Sequence, residues 1–144
     1  MTSVKQLLMH KGNSVWSISP EASVYETLQL MAEKSVGALV VVEDNQVVGM
    51  ISERDYARKI TLLGKTSKDT QVKEIMSSPV ISVTLEHTVE DCMALMTEKR
   101  IRHLPVIDSL QLVGMISIGD VVKSIISNQE ILIDQLVSYI TGSK

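Results

Sequence analysis

Four side chains recur in this chain at a spacing that suits sugar and phosphate chemistry. Ser52-Glu-Arg-Asp55 and Ser117-Ile-Gly-Asp120 each place a hydroxyl and a carboxylate three residues apart, at what reads as a helix start. An ionised carboxylate there can accept paired hydrogen bonds from vicinal hydroxyls. The free N–H groups and positive dipole end of the helix favour a nearby phosphate. The same spacing also makes a capping box, in which Ser caps and Asp reaches back to its N–H. Local sequence leaves both readings open. Another candidate partner for an anion is Arg54, whose guanidinium is a planar fork. Taken locally, Arg102 beside Arg100 and Lys99 reads as a solvated charge, and His103 as a locally bonded strand-edge ring.

The duplication extends far beyond these motifs. The two Asp residues are 120 − 55 = 65 apart, and an ungapped shift of 65 aligns Ser17–Ile60 with Ser82–Ile125, identical at 17 of 44 positions. A repeat of that length is a whole supersecondary unit, and two copies predict one pseudo-twofold domain. Ser23-Val-Tyr-Glu26 and Thr88-Val-Glu-Asp91 predict helix starts, followed by apolar stripes Val24/Leu28/Met31 and Val89/Met93/Met96. Ala38–Glu43 and Leu104–Asp108 predict buried strands, and Val47–Ile51 and Leu112–Ile116 predict their hairpin partners, with turns at Asp44-Asn45 and Ser109-Leu110. Val15–Ser17 and Val80–Ser82 are the expected leading strands. A fainter echo, Val4–Leu8 against Val72–Met76, predicts a short helix before each copy. The expected partition is 1–62 for the first repeat with its N-terminal helix, 63–126 for the linker helix and second repeat, and 127–144 for an amphipathic C-terminal helix and tail. The apolar face of that last helix requires a cover.

Composition narrows the function classes. The chain has 144 residues, a net charge of −3 and 44% hydrophobic residues, with no Phe and a single Trp. This predicts an aliphatic core and argues against a general polyanion binder, so nucleic acid is not an expected partner. Apolar runs are too short to span a bilayer, and Met1–Lys11 lacks a signal-peptide pattern. A lone Cys92 between apolar residues reads as an inert thiol and fits a cytoplasmic location. His10, His87 and His103 share no metal-ligand spacing, so no metal is expected. Phosphate-loop, dinucleotide-fold and zinc-protease motifs are missing from the sequence, so an enzyme is not the expectation.

Arg100–Asp108 (R-I-R-H-L-P-V-I-D), the hairpins ending in G-M-I-S and the doubled S-x-x-D together resemble the cystathionine-β-synthase (CBS) domain family, in which domains pair as Bateman modules. The resemblance covers Val4–Ile126, and S-E-R-D-Y at Ser52–Tyr56 is similar to bacterial stand-alone pairs. It implies an α/β (α+β) fold of two β-α-β-β-α repeats packed sheet to sheet in one disc, plus the C-terminal helix. It implies paired clefts between the repeats that take an adenosine nucleotide or related compound (AMP, ADP, ATP, NAD or S-adenosylmethionine), in a regulatory module that pairs as a homodimer. By that resemblance Ser52, Asp55, Ser117 and Asp120 contact ribose and phosphate, and Arg102 and His103 are phosphate partners. Gly37 and Ala38 let an adenosine lie close to backbone, and Val15 and Val80 wall the base. Trp16 could stack on adenine, although a lone Trp at a sheet edge reads first as packing. The competing expectation is a ligand-free dimerisation scaffold, in which both motifs are only helix caps.

Overall fold

Local signals start and stop each helix of the computed structural model, which describes residues 2–142. Helix α1 (Val4–Lys11) begins where Ser3 and Gln6 exchange side-chain and backbone hydrogen bonds, and ends at Gly12, whose φ of +93° breaks the spiral. Helices α2 (Val24–Lys34) and α5 (Val89–Lys99) are the repeat's equivalent pair, capped by Ser23 and Thr88. Both end on a left-handed residue without being glycine, Ser35 at φ 56° and Arg100 at φ 55°. Their buried faces are Val24/Thr27/Met31 and Val89/Cys92/Met96. The expected stripes are therefore rotated by one position at their centres: Thr27 and Cys92 are fully buried, and Leu28 and Met93 only half-buried. Thr27 tolerates this because its hydroxyl donates to the Ser23 carbonyl at 3.2 Å.

The strands follow the predicted hairpins, each matching its expected bounds or longer by one residue at one or both ends. β2 (Ala38–Glu43) pairs antiparallel with β3 (Gln46–Ser52), with a register shift between Val41 and Val42. β4 (His103–Asp108) pairs with β5 (Gln111–Ser117). Both turns put two residues at positive φ, Asp44-Asn45 and Ser109-Leu110, the mirror-image turn that suits strand twist. The leading strands need correction. The first, β1, is Ser17–Ile18, parallel to β2, and the second shrinks to one parallel bridge between Val83 and Val106. Val15 and Val80 lie outside the strands, half-buried.

The chain divides into two compact units that do not follow sequence order. Among the described residues, one holds 2–13, Val83–Val106 and 114–142. The other holds Ser14–Ser82 and Ile107–Val113. Thus α1, which precedes the first copy, packs with elements of the second: Val4 N–H donates to the His87 carbonyl, and Leu8 lies against Gly114. Helix α4 (Val72–Ile75) makes the reciprocal choice and joins the first copy's aliphatic core of Val24, Met31, Leu39, Val41, Ile51 and Ile60. Gly49 and Gly114, from the repeated V-G-M-I-S, sit where those crossing segments approach; a Cβ on Gly49 would fall 2.5 Å from Met76 Sδ. The outermost bounds of the sequence partition, 1 and 144, lie outside the described residues.

After the hairpins the copies diverge. In the first, the short α3 (Glu53–Asp55) runs into a π-helical turn, Tyr56–Thr61. In the second, one unbroken helix, α6 (Ile118–Thr141), continues for 24 residues. The expected separate C-terminal helix after Ile126 is the outer part of α6, because nothing in Ser127-Asn128 stops the spiral. Among the described residues, no helix is long and apolar enough to cross a membrane.

Candidate functional site

Each S-x-x-D motif forms the first turn of a helix leaving a hairpin, and each is closed in the same way. Ser52 N–H donates to Asp55 Oδ2 at 2.9 Å while Asp55 N–H donates to Ser52 Oγ at 3.3 Å. Ser117 N–H donates to Asp120 Oδ2 at 2.8 Å and Asp120 N–H to Ser117 Oγ at 3.2 Å. The capping boxes are real, and in both the backbone brace uses Oδ2 alone. One carboxylate oxygen of each Asp is left out of it.

The strand entrances meet these helix starts within each repeat. Glu53 N–H donates to the Gly37 carbonyl at 3.0 Å, and Ala38 pairs across the sheet with Ser52. Ile118 N–H donates to the Arg102 carbonyl at 2.9 Å. Gly37 and Ala38 are thereby brought to Ser52, Arg54 and Asp55, and Arg102 and His103 to Ser117 and Asp120. The Arg54 and Arg102 side chains are exposed, whereas His103 is half-buried. Trp16 hands its carbonyl to Val40 N–H at 3.3 Å, and its ring carries the Lys34 ammonium 4.4 Å from the centroid. Trp16 keeps 41% of its surface exposed.

Three further side chains at the carboxylates were not singled out as site residues. Asp55 Oδ1 lies 3.3 Å from Lys59 Nζ and 3.4 Å from Ser77 Oγ, and Lys59 also donates to the Ile75 carbonyl at 2.9 Å. Asp120 Oδ2 receives Lys11 Nζ at 2.6 Å, and the same ammonium donates to the Met115 carbonyl. Lys59 is four residues from Asp55 and could have been read as its partner. Lys11 is 109 residues from Asp120 in sequence, so no local pattern exposes it. Burial works to raise the Asp120 carboxyl, but the Lys11 and Ser117 hydrogen bonds outweigh it and hold it below the usual carboxylate range.

A hollow of about 660 Å³ opens between α2 and the π-helical turn, bounded by Leu28, Met31, Gly37, Glu53 and Tyr56. It touches the strand entrance but is not lined by Ser52 or Asp55. Cys92 is fully buried, and burial, then Asp91 and Glu90, push its thiol up to about 11, which suits an inert group. Among the described residues no group of three His, Cys, Asp or Glu side chains converges to hold a metal.

The CBS domain family model matches residues 4–62 and 72–127, so it matches twice. The chain belongs to the CBS domain family, as a tandem pair. A curated relative, the mitochondrial CBS domain-containing protein CBSX3 of Arabidopsis thaliana, is 40% identical over 151 residues, covering 98% of this chain and 73% of that one. Among solved structures, the CBS domain of NE2398 is 52% identical with a TM-score of 0.84, covering 87% of this chain and 98% of its own. The CBS domain pair of MJ0100, in complex with 5′-methylthioadenosine and S-adenosyl-L-methionine, shares the fold at 22% identity and a TM-score of 0.77, over 89% and 98% of the two chains. The mixed α+β architecture of small sheets and a C-terminal helix is that of CBS-pair structures.

Proposed function

We propose that this CBS pair is a regulatory module that binds an adenosine nucleotide (AMP, ADP, ATP or NAD) at Asp55 and Asp120. The observation that carries the reading is the division of labour within each carboxylate. Oδ2 braces the helix start, so the cap and a sugar contact need not compete for one atom. At Asp55 the other oxygen meets Lys59 Nζ at 3.3 Å and Ser77 Oγ at 3.4 Å, contacts that ribose hydroxyls can replace. Ser52 and Ser117 stand beside the sugar, with Arg54, Arg102 and His103 on the phosphate side. Gly37 and Ala38 admit the adenosine to backbone, and Val15 and Val80 flank the base. Trp16 stays a packing residue under Lys34. Family membership supports the ligand class, and the MJ0100 pair holds adenosine compounds on the same fold. Regulation follows by linkage: a nucleotide favours one conformation in proportion to its differential affinity, and a partner reads the result. This is a regulatory rather than a catalytic role, in the cytoplasm, and the CBSX3 relative makes organelle fractionation a fitting check.

Calorimetric titration of AMP, ATP and NAD into the wild type, Asp55→Ala and Asp120→Ala tests the reading. Loss of affinity in at least one variant is expected. Identical isotherms in all three chains, or no heat for any ligand, would leave the motifs as caps alone.

The outer half of α6 favours one addition from the scaffold reading. Ile126, Leu132, Ile133, Leu136, Tyr139 and Ile140 are each half exposed or more, along one side of the helix. At 1.5 Å per residue, the stretch from Ile126 to Ile140 is about 21 Å long. We infer that a second copy of this chain covers it, in a homodimer. The stripe carries no charge, so it suits an equally uncharged surface, and its own twofold mate is one.

A further inference from the structure

Two leucines stand in water at the turn that closes the first repeat. Leu62 and Leu63 follow the π-helical turn directly and expose 76% and 65% of their surface. The turn that carries them is fixed. Lys65 N–H donates to the Ile60 carbonyl at 3.0 Å and Gly64 N–H to the Thr61 carbonyl at 3.4 Å, with Gly64 at φ +69°. That pair of bonds is a Schellman closure, and buried Ile60 anchors it in the first copy's core. Folding the leucines back onto the core would break the closure. The repeat does not ask for them either: continuing the shift of 65 puts Ser127-Asn128-Gln129-Glu130 opposite Leu62-Leu63-Gly64-Lys65.

Positive charge gathers on the same stretch. From Tyr56 to Lys68 there are four cations and no acid, a local charge of +4 in a chain whose net charge is −3, which leaves −7 on the rest. Lys59 is engaged by Asp55 and the Ile75 carbonyl. Arg58, Lys65 and Lys68 are exposed. The Lys68 ammonium lies 5.0 Å from the centroid of the exposed Tyr25 ring, and Tyr25 N–H donates to the Ser67 carbonyl, which ties that ring to the connector. Asp69 ends the run and accepts the Thr66 hydroxyl at 2.8 Å. Cations suit the carbonyl end of a helix, which accounts for Arg58 but not for bare leucines. We propose that this turn docks the module on an anionic lipid surface, with Leu62 and Leu63 entering the headgroup boundary and Arg58, Lys65 and Lys68 meeting the lipid phosphates. A projecting apolar tip ringed by cations needs apolar medium and anions in one plane, and a bilayer boundary supplies both. The long basic side chains can lay their stems beside the leucines and keep their charges at headgroup level. A second copy of this chain fits less well, because the α6 stripe it would present carries no charge for the three cations. Two leucines alone hold a bilayer weakly, so attachment needs the charges as well and fades with salt.

The test is co-sedimentation of the full chain with vesicles of phosphatidylcholine alone and of phosphatidylcholine mixed with phosphatidylglycerol, at low and high salt. Binding to the mixed vesicles, lost at high salt and missing on phosphatidylcholine, is the expected result. Replacing Arg58, Lys65 and Lys68 by Gln should weaken it by about fivefold per charge. Leu62→Ser with Leu63→Ser should weaken it by about tenfold or more at unchanged charge. All five side chains are exposed, so circular dichroism should not change. A polarity-sensitive dye on Leu63→Cys, where buried Cys92 leaves one reactive thiol, should shift to the blue on the mixed vesicles only. Absence of binding to anionic vesicles overturns the proposal. Full binding by the Leu62→Ser, Leu63→Ser chain, or a dye that does not shift, also overturns it, because the leucines then do not enter the lipid. Salt-sensitive self-association without vesicles, abolished by the same substitutions, would assign the turn to a second copy instead.

Discussion

Gly114→Ala tests whether the repeated V-G-M-I-S motif exists for packing or for binding. Gly114 is buried in β5 beneath α1, and a Cβ there would stand 2.8 Å from both Cδ atoms of Leu8 and 3.4 Å from its Cγ. Ordinary carbon contacts begin near 3.5 Å, so the overlap is about 0.7 Å against a branch that is itself buried. Forcing a methyl into a filled core costs about 1–3 kcal/mol. Removing a glycine's excess unfolded-state freedom returns about 0.5–1 kcal/mol, leaving a net loss of about 0–2.5 kcal/mol, centred near 1 kcal/mol. For a chain of this length that centre corresponds to roughly 2–4 °C in Tm. Urea unfolding followed by circular dichroism reads the difference as a shift in midpoint at constant slope. Leu8→Ala alone costs about 2–4 kcal/mol through its cavity, and in the double variant the new methyl fills part of that space. The two costs should therefore fall short of their sum by about 1 kcal/mol or more. Gly114→Ala that is neutral or stabilising, or two substitutions that add in full, would refute the close approach of α1 to β5.

Two further outcomes follow from the same geometry. The Asp120 carboxyl is held below its ordinary value of 3.8, so its contribution to stability is fully present above that value and disappears as pH falls through the lower folded one. The stability gap between wild type and Asp120→Asn should be flat from pH 7 to 5 and close below pH 4; a gap that widens in acid contradicts the Lys11 and Ser117 bonds. On α6, Ile133→Lys with Leu136→Lys should convert a dimer to a monomer in sedimentation velocity while circular dichroism stays unchanged, since both side chains are more than half exposed. Unaltered sedimentation would place the dimer contact elsewhere.

Much of the layout was legible because local physics decides it. Hydroxyl and carboxylate spacing announced the caps at Ser52, Thr88 and Ser117, and the β-branched runs announced β2 to β5. The leading strands were misplaced because two or three apolar residues specify no register, and Val83 reaches only a single bridge. The stripes on α2 and α5 were off by one position because 24/27/31 and 24/28/31 are equally good helical faces, and packing chose the smaller Thr27 and Cys92 for the interior.

The sequence by itself determined the duplication, the two mirrored carboxylates, the hairpins and the family. These rest on contacts between residues within a few positions of each other, or on the repetition of a pattern, and both can be read along a line. Tertiary structure alone decided that α1 packs with the second copy and α4 with the first, and that Asp55 takes its ammonium from its own helix while Asp120 takes one from Lys11. Those partners are chosen by burial of apolar faces and by Coulomb attraction, which act through space and leave no trace in spacing when the residues are 109 positions apart.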